Sequence, residues 1–246
     1  MRVLYDPHAP GPSCLAVARA LGHPEAYVGQ PIGPEGAAFF GTPTLLPLAL
    51  SMQAAGIPFV YVDHGYIRKS GVYRMTRNAL QVTQWGSATR RYDRIMAPWR
   101  PHGEHVLVCP PEPGHAAMLG VDSAAWLQLV LGALAVHTSR PVRVRPRNCP
   151  EPMAQDLQGC WCLVTWTSNA AVDAILAGIP AICTGPCAGG IISSRRLQDI
   201  ERPHMSRVRQ EWADWLVSNQ WSLRECNLTS IPDGGCQTAR RTWSNG

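Results

Sequence analysis

Acidic residues are scarce in this chain of 246 residues: 17 Asp and Glu stand against 22 Lys and Arg, so the formal charge of +5 comes from few acids rather than many bases. That composition excludes an acidic, solvating disordered chain. A mildly basic surface permits a polyanionic partner such as nucleic acid, yet a plain solvated surface would give the same count. Charged residues make up only 16% and hydrophobic ones 46%, the proportions of an ordinary globular protein. No apolar run approaches the length of a membrane span. The start, Met1-Arg2-Val3-Leu4-Tyr5-Asp6, lacks an export leader's apolar core and cleavage site, so no membrane association is expected and the expected location is the cytoplasm. No Cys-x-x-Cys pair occurs among the nine cysteines, which excludes the common zinc frameworks, and buried free thiols are the expectation.

What is present is an alternation of short apolar runs with helical segments. Arg2 to Tyr5 reads as a strand, Ala16 to Leu21 as a helix, Thr44 to Ala55 as a helix closed by Gly56, and Pro58 to Val62 as the next strand. The stretch between Gly22 and Thr42 is rich in Gly and Pro, lacks periodicity, and reads as a lid or an acceptor-facing insertion. A linker is expected at Trp99-Arg100-Pro101-His102-Gly103. A second alternation follows, with strands at 105–109, 140–145, 161–165 and 181–183 and a helix over 123–137. From His204 the chain reads as helical, with Trp212, Trp215, Leu216 and Trp221 on one apolar face, and after Ile231 as a polar tail. Strands and helices at this spacing predict an α/β protein with parallel, doubly wound sheets.

The most informative stretch runs from Val164 to Ile182. It reads as a strand, the polar turn Thr165-Trp166-Thr167-Ser168-Asn169, a small-residue helix stopped by Gly178, and a strand opened by Pro180. In open α/β sheets ligands sit beyond the carboxyl ends of strands, so Thr165 to Asn169 would line a site. Arg143 and Arg145, two apart on a strand and thus on one face, have planar forks suited to phosphate oxygens, or else mark an exposed basic edge. The loop from Gly185 to Gly190 would allow close backbone approach to a ligand. Asp63 and His64 end a strand, where a carboxylate and an imidazole suit proton abstraction; either could be the base. Arg74, Arg77, Arg90, Arg91, Arg94 and Lys69 interleave with Tyr66, Tyr73, Trp85, Tyr92 and Trp99, a pattern that suits a nucleic-acid groove, although core aromatics with surface arginines would look the same.

Ser168-Asn169 before a small-residue helix, an acid at Asp173 and then Ala177-Gly178-Ile179-Pro180-Ala181-Ile182 resemble the donor-binding corner of GT-B glycosyltransferases, closest to phage-type DNA-modifying enzymes. Further blocks extend the resemblance in order from about Phe59 to Glu225. They are Tyr61 to Tyr66 with Tyr73 to Asn78, His105 to Pro111, Ser139 to Arg145, Asp199 to Pro203, and Arg209 to Trp215 with Asn219 to Ser222.

The resemblance implies two Rossmann-like halves, an acceptor-side domain over 1–103 and a nucleotide-sugar domain over 104–203, with 204–246 crossing back onto the first. It implies donor contacts at Pro110, Arg143, Arg145, Thr165, Thr167, Ser168, Asn169, Asp173, Gly185 and Gly189, and catalysis by Asp63 and His64. Acceptor or DNA contacts would come from Tyr66, Arg68, Lys69, Tyr73, Arg74, Arg77 and Asn78. The expected partners are a UDP-linked sugar and double-stranded DNA with a flipped 5-hydroxymethylpyrimidine, in the host cytoplasm if the chain is phage-encoded. A transferase acting on an envelope polymer and an inactive binding protein of the same fold are the rival readings. No Asp-x-Asp pair occurs, so neither a metal nor another cofactor is expected.

Overall fold

The computed structural model describes residues 1–9, 13–67, 71–82, 85–226 and 228. These fall into two compact units: the described residues within 1–64, 71–84 and from 221 onward, and those within 65–70 and 85–220. The expected linker at 99–103 therefore lies inside the second unit. The reason is local: Arg100 N–H donates to Gly178 O at 2.8 Å, and the Trp99 indole donates to Ser206 O at 3.1 Å.

The first unit begins with β1 (Arg2–Tyr5), α1 (Ser13–Leu21), β2 (Pro24–Ala26), β3 (Ala37–Phe40), α2 (Leu45–Ala55), β4 (Phe59–His64) and β5 (Val72–Arg77). The stretch read as an aperiodic loop thus holds two strands. β3 is Ala-Ala-Phe-Phe, buried at every position, so it shows the continuous apolar run of a central parallel strand and no alternation. Gly36 and Gly41 bound it because a side chain there would strike Pro58 O at 2.0 Å and the Tyr61 hydroxyl at 2.0 Å. Gly56 closes α2 as expected, at φ +68°, with Ile57 N–H donating to Met52 O at 2.9 Å.

In the second unit β6 (His105–Cys109) leads to α3 (Pro113–Met118), α4 (Ser123–His137), β7 (Val142–Val144), α5 (Met153–Asp156), β8 (Cys160–Thr165), α6 (Ala170–Leu176), β9 (Ala181–Cys183) and α7 (Arg209–Ser218). The chain then forms β10 (Gln220–Ser222) in the first unit's sheet, where Trp221 joins the core of Val3, Val17, Val60 and Met75. The C-terminal segment is therefore divided. α7 belongs to the second unit, where the Trp212 indole donates to Ala188 O at 3.0 Å, and only the residues from Trp221 return to the first. Trp221 lies on a strand rather than on a helical tryptophan face.

The six-stranded sheet runs β10-β5-β4-β3-β1-β2, with β2, β1, β3 and β4 parallel and β5 antiparallel to β4. The four-stranded sheet runs β7-β6-β8-β9 and is parallel throughout. This is the α/β class with parallel sheets that the strand spacing predicts. Among the described residues no helix is long and apolar enough to cross a membrane.

Candidate functional site

Topology places a crevice in the second sheet. From β6 the chain moves to one side to form β7, then crosses back past β6 to form β8, so the loops after β6 and β8 leave toward opposite faces. Between two such loops, beyond the carboxyl ends, is where open α/β sheets bind ligands. Here the loops are Pro110-Pro111-Glu112 and Trp166-Thr167-Ser168-Asn169. Thr165 sits at the floor: it is fully buried, and its hydroxyl donates to Cys109 O at 2.8 Å, tying the two strand ends together. Pro110, Thr167, Ser168 and Asn169 are partly exposed around it.

Local chemistry shapes both rims. Ser168, rather than Asn169, receives the first helical N–H, from Ala170 to its Oγ at 3.1 Å. On the other rim Glu112 caps α3, accepting from Gly114 N–H at 3.0 Å and His115 N–H at 2.7 Å, and these bonds hold its carboxyl below the usual range. Glu112 was passed over in the sequence, although Pro113 directly after it marks a helix start. Burial pushes the Cys109 thiol up to about 12; the positive charge of Arg145 works against that rise and the negative charge of Asp173 adds to it.

The two arginines expected to act together are separated. Arg145 lies just past β7, is paired with Asp156, and donates to Glu151 O at 2.5 Å. Arg143 is exposed on the edge strand opposite Leu107, and its charge acts on His105 at the amino end of β6. The loop glycines are likewise committed to packing. A side chain at Gly185 would meet the Trp166 ring at 2.2 Å, and one at Gly189 would meet Ala171 Cβ at 2.7 Å. Their close approaches are made to the protein itself.

In the first unit, Asp63 and His64 end β4 without forming a dyad. Asp63 lies directly opposite Arg74 across the β4–β5 pair and binds it at 2.6 Å, while its other oxygen accepts the His64 backbone N–H at 2.7 Å. The His64 ring is exposed, edge-on to Phe40 at 5.4 Å and stacked on Tyr73 at 6.2 Å. Of the pair, His64 alone keeps an accessible group uncommitted to an ion pair.

Among the described residues, the expected acceptor set does not assemble as a surface. Tyr66, Tyr73 and Arg74 are buried and present no face to a polymer, because Tyr73 packs in the core and Arg74 serves Asp63. Arg77 donates to Leu228 O at 3.2 Å. Asn78, at φ +55°, accepts the Phe59 N–H through its side chain at 2.8 Å, a structural use of a residue that tolerates left-handed backbone. Arg68 and Lys69 lie outside the described residues.

The first sheet has its own switch point, between β1 and β3, which the sequence reading missed. There Asp6 is buried, with one oxygen accepting His8 N–H at 2.9 Å and the other the Thr42 hydroxyl at 3.0 Å. Burial pushes its carboxyl up, but hydrogen bonds from Thr44, His8 and Thr42 outweigh that and leave it lowered. A polar residue immediately after the first strand was the available signal.

No protein-family model matches the chain, and no curated protein matches it. Among solved structures the chain is similar to Thermosulfurimonas dismutans KpsC, a beta Kdo 2,4 transferase, with 13% identity, a TM-score of 0.47, and coverage of 87% of this chain and 90% of that one. A likeness this distant bears on neither donor nor acceptor. Among the described residues no group of three or more His, Cys, Asp or Glu is placed to hold a metal ion.

Proposed function

We propose that the chain is a glycosyltransferase whose second unit binds a nucleotide-sugar donor. The observation that carries this reading is the crevice at the carboxyl ends of β6 and β8, rimmed by Pro110, Thr167, Ser168 and Asn169. The resemblance of the same segment to GT-B donor corners supports it. In this reading hydroxyl and amide groups of the rim hold the nucleotide, and Arg145, oriented by its ion pair with Asp156, adds positive charge as the diphosphate departs. Asp173 is assigned the ribose hydroxyls. Arg143, Gly185 and Gly189 have no part.

His64 is the residue we assign to proton abstraction from the acceptor hydroxyl, since its imidazole is exposed, whereas Asp63 is held by Arg74. A saccharide hydroxyl, as on an envelope polymer, is the favoured acceptor. A hydroxymethylated base in DNA is the second acceptor: of the rings expected to stack on it Tyr66, Tyr73 and Tyr92 are buried, while Trp85 is 44% exposed.

The test is calorimetric titration of the full chain with UDP-, GDP- and CMP-linked sugars, followed by mass spectrometry of saccharide and hydroxymethylated-DNA acceptors. The expected result is binding of one donor, weakened at least about tenfold (~1.4 kcal/mol) by Asn169→Ala. His64→Ala should leave donor binding intact and abolish transfer. Failure of every donor to bind at millimolar concentration would overturn the assignment.

A further inference from the structure

α4 is apolar on every side. Of its residues Ser123–His137, none is Asp, Glu, Lys or Arg, and beyond Ser123, Gln128 and His137 all are apolar or glycine. A helix covering one face of a sheet ordinarily turns a polar face to water, whereas one that is apolar all round is covered on both sides. One side of α4 is accounted for: Val130 and Leu134, with Trp126 and Leu127, pack on Val106, Val108, Cys162 and Val164 of the sheet. The other side is open. Leu129 is 74% exposed and Val136 78% exposed, and Ala125 and Gly132 are exposed on the same side. At about 100° per residue these four fall within ~60° of one another, forming a continuous stripe.

The stripe is complementary to itself. A side chain built at Gly132 would meet nothing within 4 Å, so the backbone there is a hole one turn from the exposed knob of Leu129. Set antiparallel on a second α4 with Leu129 opposite Gly132, the helix also sets Ala125 opposite Val136, because both pairs are symmetric about the point between Val130 and Leu131. Each large residue then meets a small one, and the contact is isologous. Charge agrees with that orientation. The exposed cap Asp122 of one copy falls at the end of the second copy's helix that leads to Arg140. An interfacial membrane helix would instead carry Lys and Arg along its polar side, and α4 has neither.

We propose that α4 is the seam of a twofold homodimer, formed by its outer stripe Ala125, Leu129, Gly132 and Val136 packing antiparallel on the same stripe of a second copy. One helix face about 22 Å long buries less than the ~800 Å² per partner of a standard interface, so the association is reversible and dependent on concentration.

Sedimentation velocity of the full chain from about 1 to 500 µM reads it directly, with thermal melts to verify that each variant is folded. A monomer–dimer equilibrium is expected. Leu129→Glu, and separately Gly132→Leu, which fills the hole without touching the monomer, should each weaken it at least about tenfold. Leu129→Ala combined with Gly132→Leu exchanges knob and hole and should restore the dimer. A monomer throughout, a dimer insensitive to the single variants, or no rescue by the exchange would each overturn the proposal. So would a monomer that binds phosphatidylglycerol vesicles through Leu129, which would assign the face to lipid.

Discussion

Replacing Arg209 with Met removes one guanidinium that joins three pieces of the second unit. Arg209 is 9% exposed; its Nη1 donates to Ile175 O at 3.1 Å, its Nη2 to Ala97 O at 2.5 Å, and its Cζ lies 4.2 Å from the Trp99 ring centre. Methionine keeps much of the side-chain volume but donates no hydrogen bond. Each charged donor lost costs about 1.5–3 kcal/mol, and the stacking about 0.5–2 kcal/mol. The release of a buried charge offsets part of this, leaving roughly 3–5 kcal/mol. At about 2–4 °C per kcal/mol for a domain of this size, the melting temperature should fall by ~6–20 °C. Arg209→Lys, which keeps the charge without the fork, should fall in between. Calorimetry checks the midpoint, and urea titration checks that the m-value is unchanged. A Met variant within 1 °C of the parent would refute the view that this arginine fixes the 97–100 segment and the end of α6.

Gly178→Ala should destabilise the same place by a different route. The residue sits at φ +81°, and a side chain would stand 2.1 Å from Pro98 O, so a loss above ~2 kcal/mol in urea titration is expected, and a neutral result would contradict the tight docking. His105 gives a dependence on pH. Burial first, and the charge of Arg143 second, hold its imidazole below the ordinary value of 6.5, so the folded state prefers the neutral ring. The unfolded chain takes up the proton first as pH falls below about 6.5, so stability is present above that value and declines below it. Urea midpoints of the parent and of His105→Gln between pH 7.5 and 5 should diverge; parallel curves would remove His105 as the cause.

Much of the fold was legible because local signals agree with tertiary ones. The helix read over 123–137 is α4 residue for residue, since Asp122 caps it with bonds of 2.8 and 3.1 Å to Ala124 and Ala125. β3 was illegible because a strand buried on both faces loses its alternation, and Ala-Ala-Phe-Phe is too short to stand out. The crevice was half legible. The turn after β8 carries its own polar residues, but nothing local tells that Arg145 is held by Asp156, or that Gly185 yields to Trp166. Asp6 escaped notice because its partner Thr42 lies 36 positions away. Asp63 and His64 were placed at the right strand end, yet their relation depends on the cross-strand neighbour Arg74, which strand pairing alone determines.

The first unit is built from three separated stretches of chain, and Trp221 and Cys226 complete a core begun by Val3. During synthesis the whole second unit emerges before the first can close. All four strands of the parallel β7-β6-β8-β9 sheet precede residue 184, so that sheet can form while the early strands wait for β10. The first unit therefore depends on contacts of very long sequence separation, which makes it the slower to fold, and its sheet edge at β5 stays uncovered until β10 has been made. A chaperone holding the nascent chain would find its longest-lived open edge on β5, ahead of the second unit.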